Sequence, residues 1–379
     1  MFQRIQVLYV ISLALSLTLH IFNFGGDEGL KPFHIAAVLS CCLSFCVVPQ
    51  KTYLHFLLLA FLLCVMLSSV FSPVDGALKN GIIIVIVMYS CYGMAYVDIK
   101  KLLKYLVVLI LFDSLVLMVY AIQNPTYRYC GFYNDPNYLC STLTVMLFMS
   151  LVAFSYYKKL VIRVVLAATI VLMLGIVMMT LSRTGVATCL LLLLCYSVWN
   201  LRENFRKTIV IIAVGLCLLQ FFAGNFIEGQ WGLLYDRLFT RGDNLESAEG
   251  KRQNISLQNL RFIADNPGYI FFGLGPSGTS PNSARQITGL NAYRADYQRD
   301  HNTWTSCLVE QGLLAFIVMI LLFRLTALNV FRVNDLRQKY LMLGLMGALL
   351  LFSLSIWQMN YLPFWWAVFL LNNEQLAEI

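Results

Sequence analysis

VVLAATIVLMLGIVMMTLSRTGVATCLLLLLCYSVWNL, residues 164–201, lies between Arg163 and Arg202 and holds one charged side chain, Arg183. A helix that crosses a hydrocarbon layer takes roughly 20 residues at about 1.5 Å each. The run is therefore too long for one crossing and fits two. It must turn near its middle, at Leu181-Ser182-Arg183-Thr184-Gly185, which puts Arg183 at a membrane face and not in its depth.

The same reading extends along the chain. Apolar runs predict helices at about 5–22, 33–48, 53–71, 80–97, 103–122, 137–157, 161–181, 184–200, 207–224, 303–324, 338–357 and 360–372. The fold expected is an all-α polytopic membrane protein of about twelve transmembrane helices with one large external (periplasmic) loop. Residues 1–224 hold helices 1–9, 225–302 the loop with an amphipathic helix, and 303–379 helices 10–12.

Composition agrees. The chain is 59% hydrophobic and 12% charged, with a mean hydropathy of +0.73, which excludes a water-soluble core of this length. The first apolar stretch follows Arg4 without a small-residue cleavage site and reads as a retained helix. Most of the eleven cysteines sit inside apolar runs, where cysteine serves as a small hydrophobe. No paired CxxC or HExxH occurs, so neither a metal nor another cofactor is expected.

The net charge of +8 marks topology and not nucleic-acid binding, because the basic residues alternate between connections. One set carries Arg4, Lys51, Lys100, Lys101, Lys104, Lys158, Lys159, Arg163, Arg202, Arg206, Lys207, Arg324, Arg332, Arg337 and Lys339. The short connections of the other set hold only Lys31, Lys79, Arg128 and Arg183. The positive-inside rule makes the first set cytoplasmic. An even helix count then places both termini inside and the large loop outside.

Candidate chemistry clusters on that outer side. Arg183 either anchors a helix end by snorkelling or binds a lipid-linked phosphate with its fixed, fork-shaped charge. Arg252 opens the loop helix expected over 249–265, and Arg261 follows nine residues later on the opposite face. Arg252 is the ligand candidate, Arg261 a solvated or headgroup partner, and the plain alternative makes both surface charges. His301 and Asn302 precede a membrane helix, and an imidazole there suits a general base. Glu310, inside the apolar run, and Asp113, midway along the fifth helix, each read as a functional acid or an ion-pair partner.

The connection YRYCGFYNDPNY, residues 127–138, offers Tyr133, Asn134 and Asn137 as an interfacial aromatic belt or a sugar platform. GLGPSG, residues 273–278, is a weak match to a phosphate-cradling loop.

Four segments together resemble the O-antigen polymerase and O-antigen ligase superfamily of bacterial envelope glycan assembly. They are GFYNDPNYL at 131–139, LSRTG at 181–185, GKRQNISLQNLRFIADNP followed by GLGP within 250–276, and HNTWTSCLVEQGLLA at 301–315. The resemblance implies an inverting, metal-independent glycosyltransferase of the GT-C type in the bacterial inner membrane. It implies donor and acceptor glycans on undecaprenyl diphosphate, contact with membrane lipids and a possible chain-length regulator as partner. It places diphosphate-binding arginines on Arg183 and Arg252 and a base on His301. From the residues themselves, Tyr133, Asn134, Asn137, Arg261, Asn302 and Glu310 are the substrate-binding candidates. The compact chain and the amide-rich connection favour a polymerase over a ligase. A lipid-linked glycan transporter or flippase is the rival class, and it would use polar residues near mid-membrane.

Overall fold

A computed structural model describes residues 2–22, 31–126, 128–198, 255–279 and 301–378. The helix expected at 207–224, Arg252 and most of the outer loop lie outside the described residues. Those described form helices and no strand. They are α1 (Phe2–Thr18), α2 (Pro32–Val47), α3 (Tyr53–Val70), α4 (Ala77–Tyr92), α5 (Ile99–Gln123), α6 (Pro136–Tyr156), α7 (Leu160–Met179), α8 (Arg183–Val198), α9 (255–265), α10 (Thr303–Arg332), α11 (Leu336–Ser355) and α12 (Leu362–Leu370). Eight described helices are long and apolar enough to cross a membrane, while α2 and α8 are apolar but shorter. The chain is thus built as a polytopic membrane protein.

Short polar residues start these helices. Asp98, Asp135 and Asp335 accept backbone N–H bonds at the N-termini of α5, α6 and α11, and Asn302 does the same for α10. Each satisfies donors that have no partner within the helix. Pro32 and Pro136 stand in the first turn, where a missing N–H is harmless.

Burial separates centre from periphery. Helix α6 is covered along 89% of its apolar window, whereas α5 and α7 are covered along 33% and 28% and turn most of their surface outward, as lipid-facing helices do. All nine residues of α12 are buried, and the indole N–H groups of Trp365 and Trp366 donate to the Met359 and Leu13 carbonyls. At nine residues α12 is only about 14 Å long, well short of the roughly 30 Å hydrocarbon layer. The chain around it is tied to both ends of α10. Gln358 bonds Thr303 at the head of α10, and Asn372 bonds Thr326 and Asn329 near its foot. Segment 356–373 thus runs alongside α10, partly extended and wholly inside the bundle.

Hydrogen bonds sort the helix ends into two faces. On one, His20 at the end of α1 meets Tyr133, Ser72 and Asn80 meet the 269–279 loop, and Thr184 of α8 meets Ser355 of α11. On the other, Thr52 bonds Tyr92 and Tyr96, and Asn373 bonds the carbonyls of Met94 and Val97. The connections of the second face are those rich in lysine and arginine. Opposite them is the face that carries Arg183 and His301.

Helix α10 is interrupted by a π segment, Cys307–Gln311, followed by Gly312 at φ 84°, ψ 175°. That backbone region belongs essentially to glycine. A Cβ there would also fall 2.1 Å from the Phe271 carbonyl oxygen. Gly76, at φ 81°, is left-handed as well but has open space around it. Gly76→Ala is therefore expected to lower stability by only about 1–2 kcal/mol. Gly312→Ala should cost several times more. Thermal unfolding of both variants in detergent checks this ranking, and equal shifts would show that the loop contact does not constrain the fold.

Candidate functional site

The turn between α7 and α8 is assembled from short bonds. Thr180 ends α7, and its Oγ1 donates to the Val177 carbonyl (2.6 Å) while accepting the Ser182 amide. Leu181 then takes φ +51°, unusual for a residue with a side chain. Its buried side chain holds it there. Ser182 caps α8 by accepting the Gly185 amide (3.0 Å) and donates its own hydroxyl to Asn137 Oδ1 (2.6 Å). Gly185 is small because Cys140 Sγ lies 2.4 Å from where a Cβ would be.

Arg183 is consequently the first residue of α8 and is half-buried. A cation is disfavoured at a helix N-terminus, where the backbone already presents positive charge, while an anion is favoured there. An anion at this end would meet both the helix N-terminus and the charge of Arg183.

The aromatic connection divides by direction. Asn134 is exposed on the face. Tyr133 is buried, and its hydroxyl joins His20 Nδ1 (2.8 Å) and Thr142 Oγ1 (2.9 Å); Thr142 in turn meets Tyr361 (2.5 Å). Asn137 is buried against Ser182. Tyr133 and Asn137 are therefore engaged inside the bundle, where they fix the connection to α1, α8 and α12.

His301 and Asn302 sit half-buried at the head of α10. Asn302 Oδ1 accepts the amides of Trp304 and Thr305. Thr303 Oγ1 donates to the Ile356 carbonyl (2.6 Å), and Trp304 Nε1 donates to Ser353 (2.8 Å). Since Ser355 also bonds Thr184, the starts of α8 and α10 flank the end of α11. This is the physical link between the Arg183 turn and His301.

Glu310 is fully buried in the π segment. Its Oε1 accepts the Thr279 amide (3.2 Å) and hydroxyl (2.5 Å), and its Oε2 accepts Trp357 Nε1 (3.2 Å). The carboxylate joins the 269–279 loop to segment 356–361. In that loop the amides of Gly273, Leu274, Gly275 and Gly278 donate to the carbonyls of Tyr269, Val309, Glu310 and Gly275. They are spent on packing, which removes the phosphate-cradle reading of GLGPSG. Helix α9 faces inward through Ile255, Asn259, Phe262 and Ile263, whereas Leu260 is 40% exposed. The register follows from Phe262 and Ile263 packing against Val74, Ala77 and Val309. Arg261 lies on the exposed side. Asp113 is buried within α5, far along the chain from these residues, and its Oδ2 has no hydrogen-bond partner among the described residues.

Sequence reading did not find the Asn137–Ser182 bond or the strain at Leu181. A serine just before an apolar run was the available signal of a cap. If that bond fixes the turn, Asn137→Ala and Ser182→Ala should be non-additive, with a coupling of about 1 kcal/mol in a double-mutant cycle on thermal stability. Additive losses would mean the two side chains act separately.

Against known proteins, a family model described as O-Antigen ligase matches residues 168–320, an interval that begins in α7, ends in α10 and contains Arg183, Arg252, Arg261, His301, Asn302 and Glu310. No curated protein matches the chain. The match covers 153 of the 379 residues, and this likeness to the O-antigen ligase family accords with the helical membrane architecture.

Proposed function

We propose that the protein is a membrane glycosyltransferase that polymerises oligosaccharide repeat units carried on undecaprenyl diphosphate, forming O-antigen or capsular polysaccharide at the outer face of the inner membrane. The observation that carries this reading is Arg183, placed at a helix N-terminus on a strained turn, on the face where His301 opens α10. Under the positive-inside rule the basic face is cytoplasmic, both termini lie there, and the Arg183 face with its large loop is periplasmic.

The chemistry follows from these groups. The acceptor hydroxyl attacks the anomeric carbon of the donor glycan, and the bond from that carbon to the diphosphate oxygen breaks with inversion. The proton passes to His301, whose imidazole serves as the general base. The electron pair leaves on the diphosphate, where the guanidinium groups of Arg183 and Arg252 meet the growing charge. Asn302 fixes the head of α10 and hence the histidine. Asn134 contacts sugar from the exposed connection, while Tyr133 and Asn137 hold that connection in place. Glu310 keeps the 269–279 loop seated, and Arg261 meets solvent or lipid headgroups. A chain-length regulator would act at the same outer face.

A ligase that moves finished glycan onto lipid A–core is the second reading, favoured by the description of the matching family model. Surface polysaccharide from a strain lacking the gene, with and without complementation, separates the two. Core bearing a single repeat unit is the expected result and identifies a polymerase. Bare core with accumulated lipid-linked polymer would identify a ligase, and an unchanged ladder would defeat both in favour of a lipid-linked glycan transporter. In complementation, Arg183→Ala, Arg252→Ala and His301→Ala are each expected to abolish polymer while the protein still inserts. Normal glycan from a well-expressed His301→Ala variant would remove the histidine as base.

A further inference from the structure

Arg128 lies near the start of the aromatic connection and is half-buried on the Arg183 face. Two bonds tie its segment to the end of α7. Its Nε donates to the Thr180 carbonyl (3.3 Å), and the next amide, that of Tyr129, donates to the Met179 carbonyl (3.1 Å). Thr180 is three residues from Arg183, so the two Cα atoms are at most about 11 Å apart. Arg128 and Arg183 therefore approach the same turn from two different connections.

Capping α7 accounts for only part of this side chain. Arginine carries five N–H donors in a planar fork, and the Thr180 carbonyl takes one. Among the described residues no carboxylate forms an ion pair with Arg128. The nearest acid in the connection, Asp135, is engaged by the Asn137 amide (2.7 Å) at the start of α6. Between them lies Cys130, whose thiol is pushed up by burial, with Arg128 opposing that shift and Asp135 adding to it. The pinned Nε leaves the terminal nitrogens as a preoriented pair of donors, the geometry that suits bidentate recognition of phosphate.

We infer that Arg128 is a further anion-binding residue of the site, gripping the lipid-linked diphosphate together with Arg183. This deepens the reading of Arg183 as a diphosphate ligand and rests on it. Two guanidinium groups at one turn would hold both phosphates of the diphosphate.

The test is binding of farnesyl diphosphate, a short prenyl diphosphate, to the full chain in phosphatidylcholine nanodiscs. Arg128→Gln is expected to weaken binding at least tenfold with the melting temperature unchanged. Arg128→Lys, which keeps the charge and can still reach the Thr180 carbonyl, should weaken it severalfold because the fork is lost. If Arg128→Gln melts lower, the lysine variant decides. Wild-type affinity in the lysine variant, or in a stable glutamine variant, would reduce Arg128 to a cap on α7 and overturn the inference, as would the absence of any binding to the wild-type protein. Equal competition by phosphatidylglycerol placed in the disc would make Arg128 a headgroup contact and also overturn it. Arg183→Gln serves as the separate control. Unchanged binding there beside a weakened Arg128 variant would remove Arg183 from the proposed mechanism while leaving Arg128 in place.

Discussion

At membrane depth there is no water to satisfy a broken backbone, so each irregular stretch must find its partners inside the protein. The Glu310 carboxylate and the π segment around it meet that constraint. Two chain segments depart from helical geometry beside α10, the 269–279 loop and residues 356–361. Glu310 takes donors from both, through Thr279 and Trp357. Its own carbonyl, exposed by the π segment, accepts the Gly275 amide and the Ser68 hydroxyl. Without these bonds the loop would present unsatisfied amides to a low-dielectric environment, each a penalty of about 1–3 kcal/mol. The rest of the outer face stands on this joint, because α3, α4, α9, α10 and the entry to α12 all contact it.

The consequences reach the site in two steps. The seated loop fixes the head of α10, and segment 356–361 fixes the foot of α11 against it through Thr303 and Ile356. From Ser355 the same array passes to Thr184 and so to the Arg183 turn. That turn carries strain at Leu181 and a cation at a helix N-terminus, two local choices that oppose stability. Both become reasonable if the turn has an anion to hold. Asn137 and Ser182 over-determine the geometry, which is how a strained turn persists in a folded chain.

Much of this was legible in the sequence, and the limits have physical causes. Hydropathy and charge alternation located eleven of the described segments and sorted their ends, because crossing length and positive charge are properties of local stretches. The 164–201 run predicted its own turn at the residues where the chain does turn. What could not be read was direction. Tyr133 and Asn137 belong to a polar, aromatic connection that reads as surface, yet both point inward, since their partners His20, Thr142 and Ser182 come from elsewhere in the chain. GLGPSG read as a phosphate loop because glycine spacing is visible, while the destination of its amides is tertiary. The twelfth helix read as a short span. At nine residues it is too short to cross alone, and the chain on either side of it is packed largely inside the bundle.

Transfer and transport make different demands on polar residues in such a bundle. A pathway for an anionic glycan needs polar groups that converge at mid-membrane and can be exchanged between two sides. Asp113 is the buried acid that would serve, but it is embedded in α5, and the adjoining Ser114 hydroxyl turns back to the Ile110 carbonyl of the same helix. The core of the bundle instead contains α6 and α12, the latter with Phe364, Trp365, Trp366 and Phe369 fully buried along its length. Polar side chains from segments distant in sequence also join at the Arg183 face, through His20–Tyr133, Asn137–Ser182 and Thr184–Ser355. Such a face above an aromatic centre suits chemistry on a substrate that stays on one side, with its lipid in the bilayer and its diphosphate at the surface.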